Sequence, residues 1–269
     1  MWPSGHLDVE SAGAGRFGSD PHSLLEDWPA ALEWMAKAEP RVEGALDPAE
    51  LGPPLPRPRQ IFAIGLNYAE HAEEAGHLRD GVPQVFTKFP SCLAGPNDCI
   101  EVPSPRLDWE VELVVAIGVE ARSLKSREAW SAVAGLMVGQ DLSARDVQLA
   151  GSAPQWSLGK SYHGFGPTGP ALVPLANLYG PEDLEIECLL NGEPVQRART
   201  SQMVWPVPEL ISRLSAVCTL YPGDLIFTGT PAGVGNRRVP PRYLGPGDLL
   251  VSRIEGLGEL SNTFRAVGA

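Results

Sequence analysis

Apolar and polar positions along the chain predict many short strands, a few helices and frequent tight turns. Residues 23–38 carry apolar side chains at helical spacing, and the segments YAEHAEEAG and REAWSAVAGLMVG are also predicted to be helical. From residue 60 onward, apolar runs rich in β-branched residues alternate with Gly/Pro turns, and we predict strands in QIFAIG, QVFTKFP, CIEVP, EVELVVAIG and LEIECLLNGEPV. Two Pro-Gly turns, in PGDLIFTG and PGDLLVSRIEGLG, each precede a further strand. The pattern predicts a mixed, β-rich α+β fold.

A proline-rich segment divides the chain. Prolines 53, 54, 56 and 58 lie in LGPPLPRPR, which excludes a regular helix or an inner strand and indicates a linker or an extended strap. We therefore predict a small irregular N-terminal region with this strap over residues 1–57, followed by the main domain over residues 58–269.

Composition narrows the class of partner. The net charge of −12 argues against nucleic acid and against an anionic membrane surface. It is compatible with an anionic substrate if a bound divalent ion reverses the local field. No apolar run approaches the ~20 residues that cross a bilayer, no signal peptide is recognisable, and the four cysteines form no C-x-x-C pair. A cytoplasmic protein is the expectation.

Three carboxylates are the strongest candidates for chemistry. Glu110 and Glu112 lie two apart on a predicted strand, so both point to the same face. Asp141 follows the apolar stretch AVAGLMVG. Three hard oxygen donors suit Mg²⁺, Mn²⁺ or Ca²⁺. For an isolated E-x-E pair the favoured interpretation is a solvated sheet face, with Asp141 as the cap of a helix, and only the rest of the chain reverses that preference.

Other polar residues allow a functional and an ordinary interpretation. His71 and Glu74 share a helix face, so the carboxylate can support the imidazole as a base, or the two can form a surface ion pair. Lys160 lies in a Gly/Pro-rich segment, where it can bind an anion or lie in solvent. Further candidates are Arg145 and Gln148, which share a side with Asp141 if a helix starts there, and Thr230 with the backbone N–H groups of Gly229 to Gly233, which could form an anion-binding nest.

Eight segments together resemble the fumarylacetoacetate hydrolase family, in particular its bacterial acylpyruvase and fumarylpyruvate hydrolase branch. They lie in family order over residues 60–262 and are GLNYAEHAEEAG, PQVFTKFPSCLAGP, DWEVELVVAIG, GQDLSARDVQ, WSLGKSYHGFGPTGP, NGEPVQ, PGDLIFTGTPAGVG and PPRYLGPGD. The resemblance implies a β-roll core, usually in a homodimer, that acts on small 2-oxo or β-diketo acids.

The resemblance also implies roles for individual residues. Glu110, Glu112 and Asp141 match the metal ligands, with Mg²⁺ or Mn²⁺ as the expected ion and Ca²⁺ possible in crystals. His71 and Glu74 match a catalytic pair on a mobile lid, and Lys160 matches a lysine that supports the oxyanion. Arg145, Gln148, Thr230 and the adjoining Gly229 match substrate-contacting positions. His163 departs from the family pattern, and it could reshape the pocket or lie on a loop surface.

Three functional hypotheses follow. The first is metal-dependent hydrolysis of a C–C bond in an acylpyruvate-like acid, with water activated by His71 and Glu74. The second is decarboxylation, or keto–enol isomerisation or hydration, of a related 2-oxo acid in the same pocket. The third is a binding or scaffold protein that retains the fold without turnover.

Overall fold

The structure, a computed structural model, describes residues 8–38, 47–74 and 81–268. Its α-helices are α1 (Val9–Ala12), α2 (Pro21–Leu25), α3 (Trp28–Lys37), α4 (Ala69–Glu74), α5 (Arg145–Gln148), α6 (Trp156–Gly159) and α7 (Val207–Ser215). Its strands are β1 (Ile61–Gly65), β2 (Gln84–Thr87), β3 (Leu93–Ala94), β4 (Cys99–Val102), β5 (Leu107–Asp108), β6 (Val111–Ile117), β7 (Val133–Gln140), β8 (Ser143–Ala144), β9 (Gly166–Pro174), β10 (Glu185–Leu190), β11 (Glu193–Arg199), β12 (Leu225–Phe227), β13 (Leu249–Ile254) and β14 (Gly258–Ala266). The predicted mixed, β-rich class is confirmed.

Two large sheets and one small sheet form the scaffold. The first has seven strands in the order β2-β1-β12-β6-β7-β9-β3, and the second has five in the order β11-β10-β13-β14-β4. Strands β5 and β8 form the small sheet. In the first sheet β6 and β7 are antiparallel neighbours, with Glu112 opposite Gly139. The end of β7 is therefore held beside the start of β6.

Side chains on β6 alternate between two apolar clusters. Val111, Leu113 and Val115 belong to the larger cluster, which includes residues of the second sheet. Val114 and Ala116 belong to a smaller cluster on the opposite face. Glu112 points to the same face as Val114 because successive side chains on a strand alternate.

The N-terminal helices contribute to the smaller cluster. Leu25 and Trp28 pack there together with Leu55 from the proline-rich segment, which has no regular secondary structure. The helical spacing over residues 23–38 belongs to two separate helices, α2 and α3. The side chain of Asp27 caps α3 by accepting a hydrogen bond from the Ala30 N–H, so a new helix begins there. The domain boundary at residues 57 and 58 stays a prediction.

The helix predicted for REAWSAVAGLMVG is wrong. Residues Ser126–Ala132 form a 3-10 helix, and the apolar remainder is the buried strand β7. Strand β7 pairs with β6 on one side and β9 on the other, and a strand buried on both faces needs a continuous apolar run. The single segment LEIECLLNGEPV forms the strand β10 and the start of β11, joined by the Asn191-Gly192 turn with φ of +53° and +86°.

Both predicted Pro-Gly turns are present. Gly223 and Gly247 have φ of +88° and +91° and are followed by β12 and β13. Within the described residues, no helix combines the length and apolar character that a membrane crossing requires.

Candidate active site

The three predicted carboxylates lie together at one end of the first sheet. Glu110 precedes β6, Glu112 lies on it and Asp141 follows β7. The Asp141 N–H donates to the Glu110 carbonyl over 2.9 Å, which extends the pairing of the two strands by one step. All three side chains are buried, and one carboxylate oxygen of each lies within 4.8 Å of the others. The interpretation of a solvated sheet face is therefore wrong.

A buried lysine bridges two of these acids. Lys160, the C-cap of α6, donates from Nζ to Glu110 Oε2 over 2.8 Å and to Asp141 Oδ2 over 2.6 Å. Its side chain is 1% exposed, so the interpretation as a solvated loop lysine is wrong. The sequence analysis and the structure place Lys160 in the same site.

Lys88 is a second buried lysine, and the sequence analysis missed it. It is fully buried, and its Nζ donates to Asp141 Oδ1 over 2.7 Å and to the Phe165 carbonyl over 3.1 Å. A third bond goes to the Lys160 carbonyl. The available signal was its position two residues after Phe86 in QVFTKFP, where alternation puts both side chains on one face. Lys88 holds Asp141 and the backbone of Lys160 in place.

Arg145 connects the acids to the wall of the pocket. Its Nε donates to Asp108 Oδ2 over 2.7 Å, and its Nη1 contacts Glu110 Oε1 over 2.7 Å and Gln148 Oε1 over 2.9 Å. Its buried Nη2 has no acceptor among the described residues. The predicted helix at this point begins at Arg145 rather than at Asp141, so a shared helical face did not bring Arg145 and Asp141 together.

Asp108 was not a candidate in the sequence analysis, although it organises this wall. Besides the hydrogen bond from Arg145, its carboxylate accepts hydrogen bonds from the backbone N–H groups of Gly235 over 2.7 Å and Asn236 over 2.9 Å. These bonds attach the loop after β12 to β5, which ends two residues before Glu110. The aspartate lies in DWEVELVVAIG, next to the carboxylate pair, but its role depends on a loop more than a hundred residues away.

Charged groups around Glu110, Glu112 and Asp141 explain two opposite pKa shifts. Burial, followed by the neighbouring charges of Asp141 and Glu110, raises the pKa of Glu112 well above its usual value. Burial also opposes ionisation of Glu110, but Lys160 and Arg145 outweigh it and lower the pKa of Glu110 to about 2. One acid is therefore held ionised, whereas burial and neighbouring negative charge favour a proton on the other. A proton on Glu112 compensates negative charge that a divalent cation could compensate instead.

The donor set fits a divalent metal ion. Four buried carboxylates (Asp108, Glu110, Glu112 and Asp141) meet three buried cations (Lys88, Lys160 and Arg145), which leaves one excess negative charge when all are ionised. Hard carboxylate oxygens at this separation suit Mg²⁺ or Mn²⁺ better than a soft metal. The chemistry of these side chains agrees with the predicted metal ligands Glu110, Glu112 and Asp141.

Metal binding is expected to release a proton from Glu112, because a carboxyl with a raised pKa must ionise to become a ligand. Metal affinity should rise with pH, by up to about tenfold per unit below that pKa. In the metal-free protein, folding stability changes with pH in the opposite direction. The folded state binds this proton more tightly than the unfolded state does. The contribution of Glu112 to stability therefore falls as the pH rises above the pKa that Glu112 has in the unfolded chain.

Calorimetric Mn²⁺ titrations in buffers of different ionisation enthalpy measure the released proton, and metal-free thermal unfolding against pH measures the stability. The Glu112→Gln variant should release fewer protons and lose the destabilisation at high pH. Proton release equal to that of the wild type in this variant would contradict the assignment.

His71 and Glu74 lie on α4, as predicted. His71 Nδ1 is 3.2 Å from Glu74 Oε2, and His71 is 7% exposed, which argues against a surface ion pair. Glu74 Oε2 also accepts a bond from the Gly233 N–H over 3.4 Å. Asn67, which precedes α4, uses its side chain to bond the backbone of Trp205 and the Thr228 carbonyl. The last two residues of the predicted helical segment YAEHAEEAG, Ala75 and Gly76, lie outside the described residues.

The segment predicted as an anion-binding nest binds carboxylates of the protein itself. The Gly229 N–H donates to Glu112 Oε2 over 2.8 Å. Gly229 has φ of +102°, and a Cβ there would lie 2.6 Å from the Cβ of Asn67, so only glycine fits. The Thr230 hydroxyl donates to the Val111 carbonyl and accepts from Gln196. Gly229 and Thr230 therefore fix the start of β6.

A pocket opens above this site and encloses about 580 Å³ when its open mouth is included. Residues from all the predicted groups line it, namely His71, Glu110, Arg145, Gln148, Lys160 and Thr230. Phe86 and Trp156, whose rings meet edge to face at 5.5 Å, form an apolar wall. His163 is exposed and is not among the lining residues, so the structure agrees with a loop-surface position.

Buried carboxylates that face buried cations, beside a histidine–carboxylate pair and an open pocket, define an enzyme site for a small anion. Comparison with known proteins agrees with this class. The family model described as the C-terminal domain of fumarylacetoacetate (FAA) hydrolase matches residues 60–265. The chain belongs to the fumarylacetoacetate hydrolase family, and its members are enzymes.

Individual relatives span several activities. The mitochondrial oxaloacetate tautomerase FAHD2A of Bos taurus is 44% identical over 211 residues, which cover 78% of this chain and 67% of the relative. The crystal structure of an HpcE protein from Mycobacterium smegmatis is 48% identical with a TM-score of 0.95, and the match covers 99% of this chain and 95% of the other. Fumarylpyruvate hydrolase from Pseudomonas aeruginosa, solved with Mn²⁺ and pyruvate, is 32% identical with a TM-score of 0.71, over 78% of this chain and 90% of the other. The family fold is therefore established, whereas the reaction varies among the relatives.

Proposed function

We propose that this chain is a divalent-metal-dependent keto–enol tautomerase of small 2-oxo dicarboxylic acids, with oxaloacetate as the first substrate to test. The observation that carries the proposal is a pocket with a supported histidine in one wall and a free arginine N–H in another. The oxaloacetate tautomerase at 44% identity supports this reaction. Hydrolysis is the first hypothesis from the sequence, but the tautomerase relatives favour tautomerisation.

Glu110, Glu112 and Asp141 are the residues that would hold Mg²⁺ or Mn²⁺. The manganese complex of the fumarylpyruvate hydrolase supports a divalent ion in this family. When bound, such an ion supplies Lewis acidity that favours negative charge on the oxygens of a 2-oxo acid. The remaining chemistry belongs to side chains of this protein.

His71 is the proposed base. An ionised Glu74 can only accept a hydrogen bond, so it binds the proton on His71 Nδ1 and leaves Nε2 unprotonated. Nε2 can then remove the proton from the carbon next to the 2-oxo group, while Glu74 stabilises the imidazolium that forms. Returning that proton to the oxygen gives the enol, and the reverse sequence gives the ketone. The net reaction moves one proton within the substrate.

Arg145 and Lys160 are the proposed anion-binding groups. Asp108, Glu110 and Gln148 engage Nε and Nη1 of Arg145, and Nη2 has no acceptor among the described residues. A guanidinium held in this way is preorganised for a substrate carboxylate. The Lys160 ammonium lies between Glu110 and Asp141 and supplies positive charge beside the oxygen where charge develops.

Hydrolysis of a C–C bond is the second candidate, supported by the fumarylpyruvate hydrolase at 32% identity. It uses the same His71 and Glu74 to deprotonate a water instead of a carbon. A homodimer and a cytoplasmic location are proposals that derive from the resemblance and from the sequence.

Product analysis separates the candidates. Purified protein with Mn²⁺ or Mg²⁺ is given enol-oxaloacetate, whose loss is followed by ultraviolet absorbance, and in parallel an acylpyruvate, whose cleavage releases pyruvate. We expect tautomerisation to be accelerated by the metal-loaded protein and removed by EDTA, with little pyruvate formed from either compound. Pyruvate release from the acylpyruvate without any effect on the tautomers would favour hydrolysis. Pyruvate and CO₂ from oxaloacetate would favour decarboxylation.

A further inference from the structure

The segment that joins β1 to the helix of the proposed base contains a strained turn. Leu66 lines the active-site pocket and has φ of +57°, in the left-handed region that a leucine rarely adopts. His71 follows shortly after it, on α4. A strained residue persists only where its surroundings over-determine its conformation, and such residues cluster at functional sites. The contacts of this turn therefore show what holds α4 in place.

Asn67, the residue after Leu66, bonds two distant segments of the chain. It is fully buried. Its Nδ2 donates to the carbonyls of Trp205 over 3.0 Å and Thr228 over 2.7 Å, and its Oδ1 accepts from the Trp205 N–H over 2.8 Å. The Val204 N–H donates to the backbone carbonyl of Asn67 over 2.7 Å. The start of α4 is therefore attached both to the segment before α7 and to the loop after β12.

The other end of α4 is attached by a longer bond. Glu74 Oε2 accepts from the Gly233 N–H over 3.4 Å, at the long end of the range for hydrogen bonds. The same oxygen lies 3.2 Å from His71 Nδ1, but that contact is internal to the helix. Among the described residues, the short hydrogen bonds from this segment to the rest of the chain therefore lie at its start, at Asn67.

Asn67 also lies against the loop that binds Glu112. The N–H of Gly229 donates to Glu112 Oε2, and a Cβ on Gly229 would lie 2.6 Å from the Cβ of Asn67. An alanine at position 67 keeps this Cβ, while it removes the side-chain bonds to Trp205 and Thr228. The substitution Asn67→Ala therefore separates the attachment of α4 from the packing beside a proposed metal ligand.

We propose that Asn67 is a positioning residue that acts through His71. Its amide fixes the point from which α4 starts, and with it the position of His71 Nε2 relative to the substrate. This inference rests on the proposed function, because it requires His71 to be the base. Loss of the amide should lower kcat. It should leave KM and the affinity for Mn²⁺ near wild type, because Asn67 does not contact the anion-binding groups Arg145 and Lys160.

Asn262 provides a matched control for stability. It is also buried, and its side-chain amide also donates to two backbone carbonyls, those of Gly95 over 3.3 Å and Asp98 over 3.1 Å. It lies on β14 and does not line the active-site pocket. Both Asn67→Ala and Asn262→Ala should unfold at lower urea concentration than wild type. Only Asn67→Ala should lower kcat, by at least about tenfold, since a displacement of ~1 Å can cost about a hundredfold.

A double-mutant cycle tests whether Asn67 acts through the base. The metal-loaded wild type, Asn67→Ala, His71→Asn and the double variant are compared in kcat, KM and Kd for Mn²⁺. Both candidate reactions use His71, so the cycle is measured with whichever substrate the wild type converts. We expect Asn67→Ala to change kcat less than about twofold in the His71→Asn background, because both substitutions remove the same contribution.

Three results would overturn the proposal. The first is an equal loss of kcat from Asn67→Ala in both backgrounds, and the second is a kcat for Asn67→Ala no lower than that of Asn262→Ala. The third is a wild-type kcat in His71→Asn, which would remove the assignment of the base and this inference with it. The first two results leave the proposed function intact, so the two failures are distinguishable.

A second variant and a wild-type measurement keep the test decisive if Asn67→Ala fails to fold. Asn67→Ser restores one hydroxyl donor, and its kcat should lie between those of wild type and His71→Asn, with Kd for Mn²⁺ unchanged. In wild type the Trp205 N–H, which donates to Asn67 Oδ1, should be protected from hydrogen exchange. Exchange as fast as that of an exposed amide would show that the attachment does not form, and would overturn the proposal.

Discussion

Replacing Asp141 with asparagine is expected to abolish turnover and also to destabilise the fold. Asp141 is fully buried and pairs with two buried ammonium groups, those of Lys88 and Lys160. Removing its charge leaves both lysines without full compensation, and breaking a buried pair typically costs about 3–5 kcal/mol. Loss of one proposed metal ligand should reduce kcat/KM at least about a hundredfold, since several kcal/mol of charge stabilisation depend on it.

Glu112→Gln is the matched control for stability. The raised pKa of Glu112 means that this side chain already favours the protonated form, because of burial and then of Asp141 and Glu110. Replacing it with a neutral amide should therefore abolish metal-dependent turnover while leaving the metal-free stability unchanged or higher. Urea denaturation of both variants without metal measures the difference. Equal destabilisation by the two substitutions would contradict the described distribution of charge.

Replacing His71 with asparagine should lower kcat by about 10²–10⁴-fold, the usual contribution of a positioned general base. The affinity for Mn²⁺ should stay close to wild type, because His71 is not among the carboxylates that would hold the ion. Glu74→Gln should also lower kcat, because it removes the carboxylate that supports the imidazolium. Steady-state kinetics and Mn²⁺ titration of each variant give these values.

The same helix provides a control for this prediction. Glu73 neighbours Glu74 but is exposed, so Glu73→Gln changes the same charge without touching His71. Its kcat should equal that of wild type. A decrease in Glu73→Gln comparable to that in Glu74→Gln would show that the net charge of the helix, rather than the His71–Glu74 contact, controls the rate.

The candidate site was predictable from sequence where the relevant residues lie close together or in recognisable segments. Glu110 and Glu112 share a strand face by alternation, and His71 and Glu74 share a helix face by their spacing. Residues whose role depends on distant contacts were missed. Lys88 reaches Asp141 across 53 positions and Asp108 reaches Gly235 across 127. Local alternation can place such a side chain on a face, but it does not show which distant residue the side chain contacts.

The elements of the fold also divide into those that local sequence predicts and those that depend on distant contacts. The Pro-Gly turns and most strands follow from local sequence preference. The apolar run of β7 was assigned to a helix because residues without branching at Cβ, such as Ala134, Leu136 and Met137, also suit a helix. Pairing with β6 and β9 decided the outcome, and tertiary pairing of this kind commonly overrides local propensity.

A metal titration of tautomerase activity tests the central claim most directly. Wild-type protein and Asp141→Asn are treated with EDTA, dialysed and assayed with enol-oxaloacetate across a range of Mn²⁺ concentrations. We predict background rates for both proteins without metal, a saturable increase for wild type and no increase for the variant. A full rate in the EDTA-treated wild type, or the same response to Mn²⁺ in both proteins, would contradict the proposed metal-dependent tautomerase.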